Sequence, residues 1–248
     1  MKTTHILLDI EGTTCPVSFV SEVLFPYARA GLAEFLEANA NDPEIQELVR
    51  HTDQAWSRDA HPEAIRQRKQ LSEHRHISDV VPYLQGLIDR NIKLTALKDL
   101  QGRIWSSGYN RGELVAPLFD DVPTALQRWH QRGLVLAVYS SGSVAAQHLL
   151  YGHCQAGDLR ALFSHWFDTR IGPKQEAKSY SVIAERMQVA SKRVLFISDA
   201  VAELEAADAS GMAVLFSDRA GNPGRECGRF ERISDYSELD PADDSQHA

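Results

Sequence analysis

Hydrophobic residues fall into two patterns along the chain. Runs at residues 5–8, 134–139, 193–197 and 212–216, apolar but for His5 and Arg193 at their starts, are short enough for strands, and they do not alternate. That is the mark of strands covered on both faces of a parallel sheet. A weaker run at 166–171 predicts one more short strand. Helical spacing fills the intervals: 122–131 before a stop at Gly133, a helix through about residue 150, 175–187, and 201–210 before Gly211. Strand and helix in turn predict an α/β, Rossmann-like parallel sheet.

The second pattern lies between the first strand and residue 113. No segment there alternates like a strand. Val20, Val23, Leu24, Tyr27, Leu32, Phe35 and Leu36 recur at helical spacing over 19–36, with Pro26 set to kink or divide that helix. The stretch Asn39-Ala40-Asn41-Asp42-Pro43 is a break, and helices are expected at 44–56, 61–72, 79–90 and 95–109. The expected organisation is therefore a discontinuous α/β core (1–17 and 113–240) and an inserted all-helical unit (18–112). A polar, acidic tail (241–248) is expected to fray.

The chain has 248 residues, 43% of them hydrophobic and 24% charged, which suits a globular protein with a sizeable core. Its net charge of −8, with no dense basic run, argues against nucleic acid or an anionic membrane as partner. No apolar stretch approaches a membrane span, and no signal-peptide pattern precedes the first strand. Cys15, Cys154 and Cys227 are sparse and odd in number, which predicts reduced thiols in a cytoplasmic protein, Cys15 as a small packed residue. The histidines are scattered. His74 and His76, two apart, lack the spacing of a helical zinc pair and read as solvated or capping residues.

The chemistry concentrates where strands end. The first runs His5-Ile6-Leu7-Leu8-Asp9-Ile10-Glu11-Gly12-Thr13-Thr14, two carboxylates on one side of a strand followed by a glycine turn. The 134–139 strand ends in Ser140-Ser141-Gly142-Ser143, and the 193–197 strand in Ser198-Asp199. Ligands of parallel sheets bind outside the carboxyl ends of strands, so these residues should share one crevice. Asp9 and Asp199 are hard oxygen ligands for one Mg²⁺. Ser140, Gly142 and the N–H groups of that turn suit phosphate oxygens. Lys174, after Gly172-Pro173, is the lysine expected there, and Lys178 is read as solvated.

This order of motifs resembles the haloacid dehalogenase-like superfamily of aspartate-nucleophile phosphatases. Within it the chain is similar to the enolase-phosphatase family of methionine salvage. The similarity rests on Glu11, where most of these phosphatases carry Asp, and on Tyr139 to Gln147, Gly152-His153, Phe167 to Lys174 and Ser179-Tyr180. One departure is Ser198, where the family has Thr. The resemblance implies a helical cap domain, Asp9 as nucleophile and Glu11 as general acid and base. Phosphate would be bound by Ser140, Ser141 and Lys174. The Mg²⁺ ligands would be the Asp9 carboxylate, the Glu11 backbone carbonyl and Asp199. The implied substrate is the small phosphorylated diketone 2,3-diketo-5-methylthiopentyl-1-phosphate, enolised and then dephosphorylated by a monomer. The enolisation base stays open between Glu11 and Glu203. Trp105, Tyr109, Phe19 and Phe25 read as packing. Two other readings fit part of the pattern: a phosphatase for another small phosphoester, and a non-catalytic receiver-like phosphate-binding protein.

Overall fold

The computed structural model describes residues 2–71 and 76–241. The expectations for His74 and for 242–248 lie outside the described residues. The chain divides into two compact units, residues 1–20 with 115–248, and residues 21–114.

The first unit is built on a six-stranded sheet in the order β3-β2-β1-β4-β5-β6. Its strands are β1 (His5–Leu8), β2 (Val135–Ser140), β3 (Phe163–Asp168), β4 (Val194–Ser198), β5 (Ala213–Ser217) and β6 (Arg232–Ile233). Every pairing is parallel. β1 sits between β2 and β4, with Leu8 beside Val138 and Ile197. Its apolar residues are fully buried, which is why the run does not alternate.

Helices α6 (Val122–Gln131), α7 (Val144–Gly152), α8 (Ala177–Arg186) and α9 (Val201–Ala209) supply the crossovers. Leu7, Ala137, Tyr139, Val194 and Phe196 pack with Tyr180 and Ile183 of α8 and Leu204 and Ala207 of α9 in one core. Gly133 and Gly211 end helices at φ +77° and +87°, a conformation that favours glycine.

β3 lies three residues before the expected 166–171. The reason is local: Asp168 accepts a hydrogen bond from the Arg170 N–H at 3.0 Å and turns the chain, so the ladder stops there. β6, two residues long, carries no pattern that the sequence could reveal.

The second unit is helical: α1 (Phe25–Ala38), α2 (Pro43–Arg58), α3 (Pro62–Lys69), α4 (Val81–Asp89) and α5 (Thr95–Asn110). The expected helix over 19–36 divides at Pro26, with a wider turn at Phe19–Leu24 before α1. The expected 79–90 helix begins with a tighter turn at Ile77–Val80, where His76 and Asp79 cap each other's backbone. Leu32, Leu36, Trp56, Leu84, Leu100 and Ile104 are among its core residues. Trp56 stacks on Tyr83 at 5.2 Å, and the Trp56 indole N–H donates to the Ala64 carbonyl. Trp105 packs on Phe25 and donates to the Leu24 carbonyl, a structural contact as read from the sequence. Among the described residues no helix is long and apolar enough to cross a membrane.

Candidate active site

Because all strands run one way, their carboxyl ends line one edge. Asp9 follows β1, and its N–H still reaches the Ile197 carbonyl at 3.0 Å, so the ladder holds its backbone. Ser140 and Asp168 are paired across β2 and β3, and Ser198 ends β4.

A buried ion cluster joins these ends. The Lys174 ammonium lies 2.6 Å from Asp9 Oδ1 and 2.6 Å from Glu203 Oε2. The three side chains are 6%, 9% and 14% exposed. The Ser198 hydroxyl donates to Glu203 Oε2 at 3.0 Å and lies 3.4 Å from Asp9 Oδ2. Burial works against a charged lysine here, but Asp9 and Glu203 outweigh it and hold its pKa above the ordinary value. Glu203 is pushed up, first by burial and then by the charge of Asp9. Two carboxylates share one ammonium, so the second ionises reluctantly. Lys178, one turn further along, is exposed.

Asp199 faces the same cluster from the other side. Burial, then the charge of Asp9, push its pKa up to about 7. The Asn222 side chain donates to Asp199 Oδ2 at 3.2 Å and to the Gly12 carbonyl at 2.9 Å. Gly12 stands at φ +69°, and a Cβ there would lie 2.1 Å from Asp199 Oδ2. The turn after Asp9 therefore passes against Asp199, which only glycine permits. Ser217 and Tyr236 hydroxyls hold the carbonyls of Gly12 and Thr13. Asp9 and Asp199, with the Gly12 carbonyl beside Asp199, form a hard all-oxygen donor set that fits a divalent cation. Among the described residues no group of three or more His, Cys, Asp or Glu that could hold a metal ion comes together.

The turn after β2 forms the remaining wall. Ser140 is buried and its hydroxyl accepts from the Gly142 N–H at 3.1 Å, whereas Ser141 is exposed. Ser143 caps α7 by accepting from the Ala146 N–H. Gln147, 1% exposed, donates to the carbonyls of Gly142 and Phe167 at 2.9 and 2.8 Å and ties this turn to β3. N–H groups at such a helix start suit an anion. Glu11 is half-buried, in the loop closed by the Gly12 N–H on the Cys15 carbonyl at 2.8 Å. Cys15 itself is buried, and burial raises its pKa to about 12, which leaves an unreactive thiol.

The structure thus brings Asp9, Lys174 and Asp199 together with Ser198, and sets Ser140 at the same sheet edge. It adds Asn222 and Gln147, which sequence reasoning missed. Asn222 sits between Gly221 and Pro223, and Gln147 ends the 139–147 stretch that carries the resemblance; neither residue type there announces its hydrogen-bond partners. Glu203 did carry a signal, four residues after Asp199 and so one helical turn away.

A parallel sheet that gathers an acid pair, a buried lysine and a serine turn at one edge, with a helical insertion after its first strand, defines the haloacid dehalogenase-like hydrolases. The model of that family matches residues 3–211. The chain is 46% identical to enolase-phosphatase E1 of Parasynechococcus marenigrum (strain WH8102), over 97% of this chain and 99% of that one. It is 50% identical to enolase-phosphatase E1 of Synechococcus sp. (strain RCC307), over 88% and 86%. Among solved structures, the UTR4 protein of Saccharomyces cerevisiae superposes with a TM-score of 0.77 at 29% identity, covering 96% of this chain and all of that one. CbbY of Rhodobacter sphaeroides shares the fold, at a TM-score of 0.56 and 18% identity. The chain belongs to the enolase-phosphatase E1 family of haloacid dehalogenase-like hydrolases.

Proposed function

We propose that this chain converts 2,3-diketo-5-methylthiopentyl-1-phosphate to 1,2-dihydroxy-3-keto-5-methylthiopentene and phosphate, the enolase-phosphatase step of methionine salvage. The observation that carries the phosphatase half is the Lys174 ammonium, buried 2.6 Å from Asp9 Oδ1. A carboxylate held against a fixed cation at a sheet edge is equipped to attack phosphorus. The enolase half is supported by the names of the full-length relatives and by Glu11 in place of the shorter acid.

Asp9, Asp199 and the Glu11 carbonyl would hold Mg²⁺, which would supply charge neutralisation for both half-reactions. Glu11 removes the proton from the carbon that bears the phosphate and keeps it; the enolate oxygen so formed takes up a proton from solvent, which gives the enol phosphate. Asp9 then attacks phosphorus. The new Asp9–phosphorus bond forms as the ester oxygen departs, and Glu11 returns a proton to that oxygen. Water, deprotonated by Glu11, cleaves the aspartyl-phosphate and frees Asp9. Lys174, Ser140 and the N–H groups of the 140–143 turn hold the phosphate oxygens throughout. Glu203, engaged by Lys174 and Ser198, orients the ammonium rather than serving as base. The helical unit acts as the cap that excludes water. The same reading makes the protein a cytoplasmic monomer, in keeping with three cysteines present as free thiols.

The test is turnover of the diketo phosphate with and without Mg²⁺, following enediol absorbance and phosphate release together. Mg²⁺-dependent appearance of the enol before phosphate is the expected result. Phosphate release with no enol overturns the bifunctional reading and leaves a plain phosphatase. Absence of any turnover favours a binding protein.

A further inference from the structure

Lys174 is a flexible side chain asked to keep one position, and its backbone is held in an unusual way. Three successive carbonyls of its turn each accept a hydrogen bond from a different side-chain hydroxyl. Tyr139 donates to Gly172 O at 2.8 Å, Ser179 to Pro173 O at 2.7 Å and Tyr180 to Lys174 O at 2.7 Å. The three donors are buried, Tyr139 and Tyr180 at 0% exposure and Ser179 at 2%. Of the turn they hold, Gly172 is half-buried, Pro173 exposed and Lys174 buried, so the burial of the donors exceeds that of the first two carbonyl-bearing residues. Gly172 stands at φ +151°, and a Cβ there would lie 2.2 Å from the Ser179 hydroxyl. The glycine thus makes room for the middle donor. The rings of Tyr139 and Tyr180 meet edge to face at 5.5 Å, which fixes both donors, and the Lys174 ammonium lies 5.7 Å from the Tyr139 ring centre.

We propose that Tyr139, Ser179 and Tyr180 are positioning residues that clamp the 172–174 backbone and thereby seat the Lys174 ammonium between Asp9 and Glu203. This inference rests on the reading of Lys174 as the phosphate-neutralising cation. The ammonium has three N–H donors, and the two carboxylates take two of them. A clamped backbone leaves the third available for a phosphate oxygen. The chain from Tyr139 at the end of β2 to Tyr180 in α8 couples the phosphate turn and the lysine turn through one tyrosine pair.

The experiment is acetylation of the native protein with a limiting amine reagent, read by mass spectrometry as the ratio of Lys174 to Lys178 modification. Lys178 is exposed and four residues away, so it is an internal standard. In the wild type Lys174 should react at least about tenfold more slowly than Lys178. Tyr180→Phe, Tyr139→Phe and Ser179→Ala should each raise the ratio by about threefold or more in protein that still melts cooperatively, with kcat for phosphate release falling about tenfold. A ratio unchanged in folded variants overturns the clamp, because hydroxyls that merely satisfy carbonyls would not move it. Should Tyr180→Phe fail to fold, Ser179→Ala decides the matter, since it removes one oxygen and no ring. Wild-type protein that releases no phosphate while the ratios shift as stated would overturn the functional reading and leave the clamp standing.

Discussion

At Asp9 two demands meet. A nucleophile must be ionised, and a carboxylate only 9% exposed must be compensated. Lys174 bears on both by placing its ammonium 2.6 Å from Asp9 Oδ1. Asp9→Asn should abolish phosphate release, by more than about a thousandfold, since an amide is a poor nucleophile. A stopped phosphate assay checks this, with circular dichroism to confirm the fold. Gly12→Ala tests the other side of the site. The new Cβ would meet Asp199 Oδ2, and the residue would be strained at φ +69°. The expected result is a stability loss of about 1–3 kcal/mol and at least tenfold more Mg²⁺ for half-maximal activity. Thermal melts and a Mg²⁺ titration measure the two. Asp9, Ser140, Lys174 and Asp199 could be placed at one edge from sequence because each follows a strand or a tight turn. Asn222 could not: it holds Gly12, 210 residues earlier in the chain, and nothing local announces such a contact.

Among the elements, α7 and the turn before it depend on a single buried amide. Gln147 spans from the Gly142 carbonyl to the Phe167 carbonyl, joining the phosphate turn to β3. Gln147→Leu fills the same space but leaves both carbonyls without this donor. The loss should be about 1–3 kcal/mol of stability, with KM raised more than kcat is lowered. Urea melts and steady-state kinetics separate these effects. Elements with strong periodicity were readable from the sequence. β3 was not placed correctly, because its end is set by Asp168 capping the next turn rather than by where apolar residues stop. The division of the first cap helix was readable, because Pro26 cannot continue the preceding turn.

For the whole molecule, the charge at the sheet edge links stability to pH. Asp199 has its folded pKa raised from the ordinary carboxylate value to about 7. Below both values the proton is bound in either state. As pH rises between them, the unfolded chain loses its proton while the folded one keeps it, so stability falls. The protein stripped of divalent metal should therefore melt at a lower temperature at pH 8 than at pH 5. Mg²⁺ should raise the melting temperature more at pH 8, where Asp199 is ionised and able to bind it. Calorimetry at the two pH values, with chelator or with Mg²⁺, checks both signs; a larger Mg²⁺ effect at pH 5 would count against Asp199 as a ligand.

The central place of β1 also sets a timetable for synthesis. His5 pairs with Val135 on one side and Val194 on the other. The strand that leads into Asp9 is made before both of its neighbours, so one flank is missing until β2 is made and the second until β4 follows. The helical unit, with a core made wholly of its own residues, is finished before either. The nucleophile is thus translated before both strands that flank it and seated only after the second. Any nascent chain that stops short of β4 carries an apolar strand with an open edge, the kind of segment that chaperones and aggregates both seek.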